Sequence, residues 1–194
     1  MKKLLFVNAC AREESRTLRL CRHFLAELTG FEVEELRLFE EDLRPMDAAA
    51  LAERDACLQA GDYAHPCLRY AKQFAAADLI LIGAPYWDLS FPAALKIYLE
   101  RVSANGIVFR YDEHGMPHGL CKARNLVYIT TSGGFIGPYD TGWRYVDGLT
   151  GALYGIPARS TVAAEGLDIW GKDVEAILQT AEKQLDTLAE TLKI

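Results

Sequence analysis

The stretch DLILIGA, residues Asp78–Ala84, decides the fold. Its apolar residues run without a polar interruption, which is typical of a strand buried on both faces of a parallel sheet. The runs KLLFVN (Lys3–Asn8) and NLVYITT (Asn125–Thr131) have a similar character. Two further runs, Val33–Leu38 and Arg159–Ala164, are also predicted strands, and the alternating pattern of the first favours a place near the sheet edge.

Segments with helical spacing separate these strands. They are Arg16–Leu28, Ala48–Gln59, Cys67–Ala77, Pro92–Val102, Gly142–Tyr154 and Lys172–Leu192. Because strands that alternate with helices form parallel sheets covered on both faces, we predict the α/β class, with a doubly wound sheet of five parallel strands and helices on both faces. The acidic, alanine-rich segment Glu40–Pro66 is interpreted as a lid or a dimer contact. No linker or repeat interrupts the pattern, so residues 1–194 are predicted to form a single domain.

Composition and charge exclude several classes of function. The 194 residues are 51% hydrophobic and 25% charged, and the formal net charge is −6. This acidic balance argues against a nucleic-acid partner, which selects basic surfaces. No apolar run approaches the ~18 residues of a membrane span, so no membrane partner is expected.

The N-terminal stretch MKKLLFVNAC resembles an export signal only superficially. Its apolar core is limited to Leu4–Val7, whereas an export signal needs about 7–15 apolar residues. The cysteines are odd in number and lack CxxC spacing; they are Cys10, Cys21, Cys57, Cys67 and Cys121. Such cysteines indicate free thiols in a reducing compartment, and we predict a cytoplasmic protein.

The loop Ala9–Thr17 follows the first predicted strand and leads into a helix. It has neither GxGxxG nor GxxxxGKS/T, the glycine patterns that bind dinucleotides and nucleoside triphosphates. It places the hydroxyls of Ser15 and Thr17 where the helix begins, with Arg12 and Arg16 beside them. Hydroxyls and free N–H groups at a helix N-terminus suit a phosphate monoester. In the alternative interpretation Ser15 only caps the helix, and two glutamates in the loop oppose an anion unless they face solvent.

The loops after the third and fourth long strands differ in chemistry. The segment Pro85–Leu89 carries Tyr86 and Trp87 beside a proline that stiffens the loop. Aromatic rings on a stiff loop suit packing against a planar ring, although they also pack onto a protein's own core. The segment Thr131–Gly134 contains two adjacent glycines, which let a backbone approach a ligand closely or form an ordinary turn.

These three loops are expected to meet at one edge of the sheet, because ligands of doubly wound folds bind beyond the carboxyl ends of the strands. Together they combine a phosphate site, an aromatic surface and glycine N–H groups. This combination suits a phosphorylated planar heterocycle, and flavin mononucleotide (FMN) is the natural candidate.

The chain resembles a known family over nearly its whole length: the flavodoxin-like NAD(P)H-dependent oxidoreductases, which include FMN-dependent azoreductases and NAD(P)H quinone dehydrogenases. The segments that carry the resemblance are APYWDLSFPAALKIYLERV (84–102), GIVFRYDEHGMPHGL (106–120), TTSGG (130–134) and AEGL (164–167). The first is similar to the family's isoalloxazine loop and following helix, and the second to its hairpin-like insertion. The third is similar to a flavin loop, and the fourth matches a late strand end.

The resemblance implies an enzyme that binds FMN and passes two electrons from NADH or NADPH to a quinone, azo or nitroaromatic acceptor. It also implies a homodimer with the active site at the subunit interface. The implied FMN contacts are Ser15, Arg16, Thr17, Pro85, Tyr86, Trp87, Asp88, Leu89, Thr131, Ser132, Gly133 and Gly134. One site that serves both substrates in turn predicts ping-pong kinetics. No side chain is predicted to act as acid or base, and no metal site is predicted.

Three features depart from the family pattern. Ala9 and Cys10 stand where a serine is common, so a hydrogen bond to the phosphate is expected to be lost. Ser132 stands where an arginine is frequent, and Asp88 replaces a common asparagine. A carboxylate at position 88 repels an anionic reduced flavin near its N1–O2 edge, but it is a good acceptor near N3–H. The sequence leaves this alternative open, as it does the choice between NADH and NADPH.

Residues outside these loops have plainer interpretations. His114 and His118 have HxxxH spacing, but a glycine and a proline between them predict a solvated turn rather than a metal site. A contact between His118 and substrate stays open. The pKa of Cys10 is expected to be lowered by a nearby helix N-terminus. Trp170 is expected in the core or at an interface.

Two functions of other classes also stay open. A flavodoxin-type electron carrier binds FMN but lacks a nicotinamide site, and a flavin-free interaction protein shares only the fold. The segments Glu40–Pro66 and Ile107–Lys122 favour the enzyme, because they are suited to form pocket walls and a dimer surface.

Overall fold

A parallel five-stranded sheet forms the centre of the computed structural model, which describes residues 1–192. Its strands are β1 (Lys2–Asn8), β2 (Phe31–Arg37), β3 (Leu79–Gly83), β6 (Asn125–Thr131) and β7 (Ala158–Ala164). A separate antiparallel hairpin consists of β4 (Phe109–Tyr111) and β5 (Pro117–Gly119). The spatial order β2-β1-β3-β6-β7 is that of a doubly wound sheet whose strand order reverses between β1 and β3.

Helices cover both faces of this sheet. They are α1 (Arg16–Glu27), α2 (Ala48–Ala60), α3 (Arg69–Ala76), α4 (Ala93–Val102), α5 (Thr141–Gly148) and α6 (Val174–Leu192). The helices α1 and α6 pack together on one face, and α3 and α4 pack together on the other. The predicted α/β class, with five parallel strands and helices on both faces, is confirmed.

Alternation along each strand divides the apolar side chains between two cores. In β1, Leu4 and Phe6 belong to the core under α1 and α6, whereas Leu5 and Val7 belong to the core under α3 and α4. The strand β2 lies at the edge of the sheet and is largely exposed, as its alternating sequence predicts. The central strands therefore carry the hydrophobic content that the sequence pattern indicated.

Two predicted helices differ in detail. The predicted helix Cys67–Ala77 is divided into a 3-10 turn at Pro66–Leu68 and α3, because the proline has no N–H and starts a tight turn. The predicted helix Gly142–Tyr154 consists of α5 and a π-turn at Leu149–Leu153. In that turn the Tyr154 N–H donates to the Leu149 carbonyl, with an N···O distance of 3.2 Å.

Within residues 1–192, no helix is both long enough and apolar enough to span a bilayer. The longest of these helices, α6, has 19 residues and is amphipathic. Its side chains Leu178, Ala181 and Leu185 are buried in the core that α6 shares with α1.

Candidate functional site

A cleft with a volume of about 440 Å³ opens at the carboxyl edge of the sheet. Small-molecule sites typically have volumes of about 300–1,000 Å³. The walls come from the segments that follow β1, β3, β6 and β7. The three loops predicted to converge therefore meet here, and a fourth joins them.

Of the predicted FMN contacts, eight line this cleft: Ser15, Arg16, Pro85, Tyr86, Trp87, Thr131, Ser132 and Gly133. The other four do not. Thr17 is fully buried behind Thr131, and Asp88 lines a neighbouring cleft that shares Trp87. Leu89 and Gly134 are exposed. The structure brings the predicted segments together, and the role of each side chain in binding FMN stays a prediction.

The first turn of α1 forms one wall of the cleft. The Ser15 hydroxyl accepts a hydrogen bond from the Leu18 N–H at 3.3 Å, so this serine does cap the helix. A capping hydroxyl still leaves other N–H groups of the first turn without a partner inside the helix. The positive end of the helix dipole therefore lies at the cleft, together with Arg12 and Arg16. This wall suits an anion even though Ser15 is a cap.

A buried hydrogen bond joins α1 to β6. The hydroxyl oxygens of Thr17 and Thr131 are 2.7 Å apart. Thr17 is completely buried and Thr131 is nearly so. Because a buried hydroxyl that loses its partner is costly, this bond holds the first turn of α1 against the end of β6.

Tyr86 is fixed at the cleft by two hydrogen bonds. Its N–H donates to the Thr131 carbonyl and its phenol donates to the Tyr139 carbonyl, each at 3.0 Å. Desolvation and the carboxylates of Asp140 and Glu165 raise the pKa of this phenol above its usual value. Tyr86 is therefore protonated at neutral pH and remains a hydrogen-bond donor.

A tight turn follows Tyr86 and presents Trp87. Trp87 and Ser90 exchange two backbone N–H···O bonds of 3.0 and 2.8 Å around Asp88 and Leu89. Both central residues have a positive φ, 49° and 66°, a conformation that is uncommon without glycine. The indole of Trp87 is 41% exposed, so it offers an aromatic surface at the side of the cleft.

Gly133 makes a close approach to the segment that follows β7. A Cβ atom at this position would lie 2.3 Å from Asp168 Oδ2, too near for any real contact. The Asp168 N–H donates to the Gly133 carbonyl at 2.9 Å, and the Asp168 carboxylate accepts a hydrogen bond from Arg16 Nη1 at 2.7 Å. These contacts link the end of β6 to the first turn of α1 across the cleft.

Charges of both signs line the cleft. Arg12 and Arg16 are cationic, and Glu14 and Asp168 are anionic. The ion pair between Arg16 and Asp168 has side chains that are 42% and 68% exposed, so solvent screens it and an incoming anion can compete for the guanidinium. Glu13, the other glutamate of the loop, is exposed and lies outside this cleft.

The expectation of a lowered pKa at Cys10 is wrong. Burial raises the pKa of this thiol to about 11. The thiol donates to the Gly83 carbonyl with an S···O distance of 3.8 Å. Desolvation outweighs the hydrogen bond with Ser15, which alone would lower the pKa, so the Cys10 thiol is neutral at neutral pH.

Trp170 and His118 also have definite surroundings. Trp170 is 98% exposed, which rules out the core and leaves the interface interpretation. His118 lies in the short hairpin, where its Nε2 is 2.9 Å from Asp112 Oδ2. The segment is a turn and hairpin, as its glycine and proline predicted, and a contact between His118 and substrate stays a prediction.

Leu167 and Asp168 line the cleft but were missed from the sequence. They follow β7, whose carboxyl end lies at the same edge as those of β1, β3 and β6. The rule that placed the other loops at this edge applies equally to this strand. The resemblance segment AEGL ends one residue before Asp168.

A family model described as a flavodoxin-like fold matches residues 2–189. The chain belongs to the flavodoxin-like family. This membership agrees with the strand order of the sheet and with the position of the cleft beside β1.

Relatives of this flavodoxin-like chain include two curated bacterial proteins. An "FMN-dependent NADH:quinone oxidoreductase 2" from Clostridium acetobutylicum is 38% identical over 202 residues, covering 98% of this chain and 100% of the relative. An "FMN-dependent NADH:quinone oxidoreductase" from Coprothermobacter proteolyticus is 34% identical over 200 residues, covering 98% and 99%. Among solved structures, an azoreductase from Bacillus anthracis is similar with a TM-score of 0.85 at 25% identity, covering 98% of this chain and 100% of that one. The resemblance to quinone dehydrogenases and azoreductases is confirmed.

Proposed function

We propose that the protein is an FMN-dependent oxidoreductase that passes two electrons from NADH or NADPH to a quinone or azo acceptor. The observation that carries this proposal is the cleft at the carboxyl edge, where a helix N-terminus, two arginines and an exposed indole meet. The names of relatives at 38% and 34% identity support the same activity.

The residues present fit FMN. We assign the phosphate to the first turn of α1, where Ser15 and Arg16 line the cleft. We assign the isoalloxazine to the side formed by Tyr86 and Trp87, because an exposed aromatic loop suits a planar ring. The missing side chain at Gly133 allows the loop after β6 and Asp168 to approach closely, and a Cβ would disturb this wall.

When bound, FMN supplies the redox chemistry, since a flavin accepts a hydride from a nicotinamide and reduces a second substrate. The chain's own residues would bind and orient the flavin. Tyr86 keeps its proton at neutral pH and stays a donor at the cleft. No side chain is assigned as general acid or base.

Shared use of this cleft by the nicotinamide and the acceptor supports ping-pong kinetics, because the nicotinamide must leave before the acceptor enters. Initial rates at several acceptor concentrations should give parallel lines in double-reciprocal plots, and intersecting lines would contradict the shared site. Nitroaromatic compounds are planar acceptors like quinones, and we include them as substrates.

We further propose a homodimer in which the second subunit borders the cleft. Large apolar side chains are exposed near this edge: Trp170 is 98%, Phe135 71% and Tyr139 60% exposed. Phe135 follows the loop that lines the cleft, and Lys172 Nζ lies 5.9 Å from its ring, close in sequence to Trp170. Exposed aromatic groups of this size are typical of interaction surfaces.

We also keep the cytoplasm as the proposed location. All five cysteines are free. Free thiols are normal in the reducing cytosol, whereas secreted proteins commonly pair them.

Reconstitution with FMN, followed by anaerobic addition of NADH and NADPH in turn, tests the function. We expect the yellow protein to bleach with at least one nicotinamide and to regain its colour when a quinone is added. An electron carrier would stay yellow with both nicotinamides. An interaction protein without flavin would stay colourless after FMN is added and the excess removed.

A further inference from the structure

A second cluster of reactive side chains lies outside the cleft. One ligand atom from each of Cys57, His65 and Cys67 lies within 4.8 Å of the others. Cys57 is buried in the core under α3 and α4, whereas His65 and Cys67 are half-buried. None of these residues lines the cleft at the carboxyl edge, so the proposed redox site does not use them.

A compact turn brings these residues together. The helix α2 ends at Gly61, which has φ 68°, and the Asp62 N–H donates to the Cys57 carbonyl at 2.9 Å. The His65 N–H then donates to the Asp62 carbonyl at 3.3 Å, and the Leu68 N–H to the His65 carbonyl at 3.1 Å. The chain therefore reverses within a few residues and returns onto the end of α2. Backbone hydrogen bonds of the turn therefore hold Cys57, His65 and Cys67 near one another without a metal ion.

The donor set suits a soft divalent cation. Two thiolates and an imidazole are typical zinc ligands, with Zn–S distances of about 2.3 Å and Zn–N distances of about 2.0–2.1 Å. A tetrahedral site with these bonds separates its ligand atoms by about 3.5–3.8 Å. The three atoms already lie within 4.8 Å of one another, so small side-chain movements are sufficient. Because the cluster reaches the surface, a water molecule has access to the fourth position.

The surrounding charge also favours a cation. Two acidic residues lie near the cluster along the chain: Glu53 is one helical turn before Cys57 on α2, and Asp62 is in the turn that follows the helix. His65 Nδ1 accepts a hydrogen bond of 3.3 Å from the Cys67 N–H, which helps to fix its ring. Negative charge beside the cluster favours a bound cation.

We propose that Cys57, His65 and Cys67 bind one Zn²⁺ per chain, with water as the fourth ligand, and that the metal fastens the end of α2 to the Pro66–Leu68 turn. Binding releases the protons of both thiols to solvent, because the thiolate is the form that binds metal. The site is separate from the cleft, so the metal proposal and the redox function can be tested independently.

Titration of the reduced, chelator-treated full chain with Co²⁺ tests this proposal. We expect one Co²⁺ per chain, with the d–d absorption of a tetrahedral thiolate site at wavelengths beyond the flavin bands, and displacement by Zn²⁺. Zn²⁺ should also raise the melting temperature. Both effects should be lost in Cys67→Ser and in His65→Asn, where asparagine can still accept the Cys67 N–H. Cys121→Ser is the matched control, because Cys121 is also a half-buried thiol but lies outside the cluster, and it should keep both effects.

The tetrahedral thiolate spectrum persisting in Cys67→Ser would overturn the proposal, as would its absence in the unmodified chain. A disulfide between Cys57 and Cys67, found by peptide mapping of protein purified without reductant, would assign the pair to thiol oxidation instead. FMN binding by Cys67→Ser should match that of the unmodified chain. Metal binding without FMN binding would leave the zinc site standing and remove the redox function.

Discussion

Gly133 is the residue on which the shape of the cleft depends most directly. A Cβ added there would lie 2.3 Å from Asp168 Oδ2 and 3.1 Å from its Cγ. In Gly133→Ala the Asp168 side chain must turn away, and its hydrogen bond to Arg16 is lost. Because the added methyl group and the displaced carboxylate disturb this wall of the cleft, we expect FMN to bind about tenfold more weakly, which corresponds to about 1.4 kcal/mol, when measured by quenching of flavin fluorescence. The melting temperature should change little, because the Asp168 side chain is 68% exposed and free to move.

The neighbouring glycine provides the control. Gly134 was implied as an FMN contact but lies outside the cleft, and a Cβ there would meet no heavy atom within 4 Å, so Gly134→Ala should bind FMN like the unmodified chain. Equal losses in the two variants would mean that general loop flexibility, not the contact with Asp168, sets the affinity.

At the same scale, sequence reasoning was limited by desolvation and by contacts between distant segments. The position of Cys10 just before a helix suggested a lowered pKa, but burial raises the pKa of this thiol to about 11. Asp168 was missed because its place at the cleft depends on contacts with Gly133 and Arg16, which are distant from it in the sequence. The alternative interpretation of Ser15 as a cap is confirmed, since a cap is decided within one helical turn, whereas its contact with FMN stays a prediction.

Among the elements, α1 and β6 are joined by the buried pair Thr17 and Thr131. Thr17→Val leaves the Thr131 hydroxyl without its partner, and we expect a loss of about 1–3 kcal/mol in the free energy of unfolding. Thr131→Val should cost a similar amount. Because the double variant leaves no orphaned hydroxyl and keeps the same shape, its loss should be smaller than the sum of the two. Urea unfolding of the four proteins measures this, and strictly additive losses would contradict the pairing.

At the amino-terminal ends of the strands, opposite the cleft, Asp78 links the start of β1 to the segment before β6. Its carboxylate accepts a hydrogen bond from the Lys3 N–H and pairs with Lys122 Nζ, each at 2.8 Å. These contacts, chiefly the one from Lys122, lower the pKa of Asp78 below its usual value. A carboxylate whose pKa is lowered in the folded state contributes its full stabilisation of the fold at pH values above the unfolded pKa of about 3.9. This stabilisation is lost as the pH falls through the pKa of the folded state.

We therefore expect Asp78→Asn to unfold more easily at neutral pH, and its free energy of unfolding to decline less than that of the unmodified chain below about pH 4. Denaturant unfolding at a series of pH values measures both. Glu32→Gln, which removes an exposed carboxylate on the edge strand β2, should leave the pH dependence unchanged. A parallel decline in Asp78→Asn and the unmodified chain would contradict the assignment.

The elements that sequence reasoning located well are those whose burial is regular. The strands β1, β3 and β6 are buried on both faces, so an apolar run alone identifies them. Helix ends were less certain, because Pro66 and the π-turn after α5 change the hydrogen-bond pattern within a continuous apolar spacing. The cluster near His65 was also missed, since only the turn after α2 brings its members together.

For the whole molecule, the two cores share the same strands. Alternate residues of β1, β3 and β6 contribute to opposite cores, so loss of one core exposes the strands that support the other. We infer that the chain is a single domain. Calorimetry of the FMN-free protein should give one transition, and two separated transitions would indicate independent units.

Exposed aromatic residues near the cleft provide a test of the proposed homodimer. Trp170, 98% exposed, is an anchor of the kind that dominates protein interfaces when a partner buries it. If the homodimer uses this face, Trp170→Ser should weaken dimerisation by about 2 kcal/mol or more, roughly thirtyfold in the dissociation constant measured by sedimentation equilibrium. The folded subunit should keep its melting temperature at concentrations where both proteins are monomeric, since the indole makes little contact within its own chain. Val33→Ser is the control, because Val33 is an exposed apolar residue on β2 at the opposite edge of the sheet. A dimer that weakens equally in both variants, or in neither, would place the interface elsewhere.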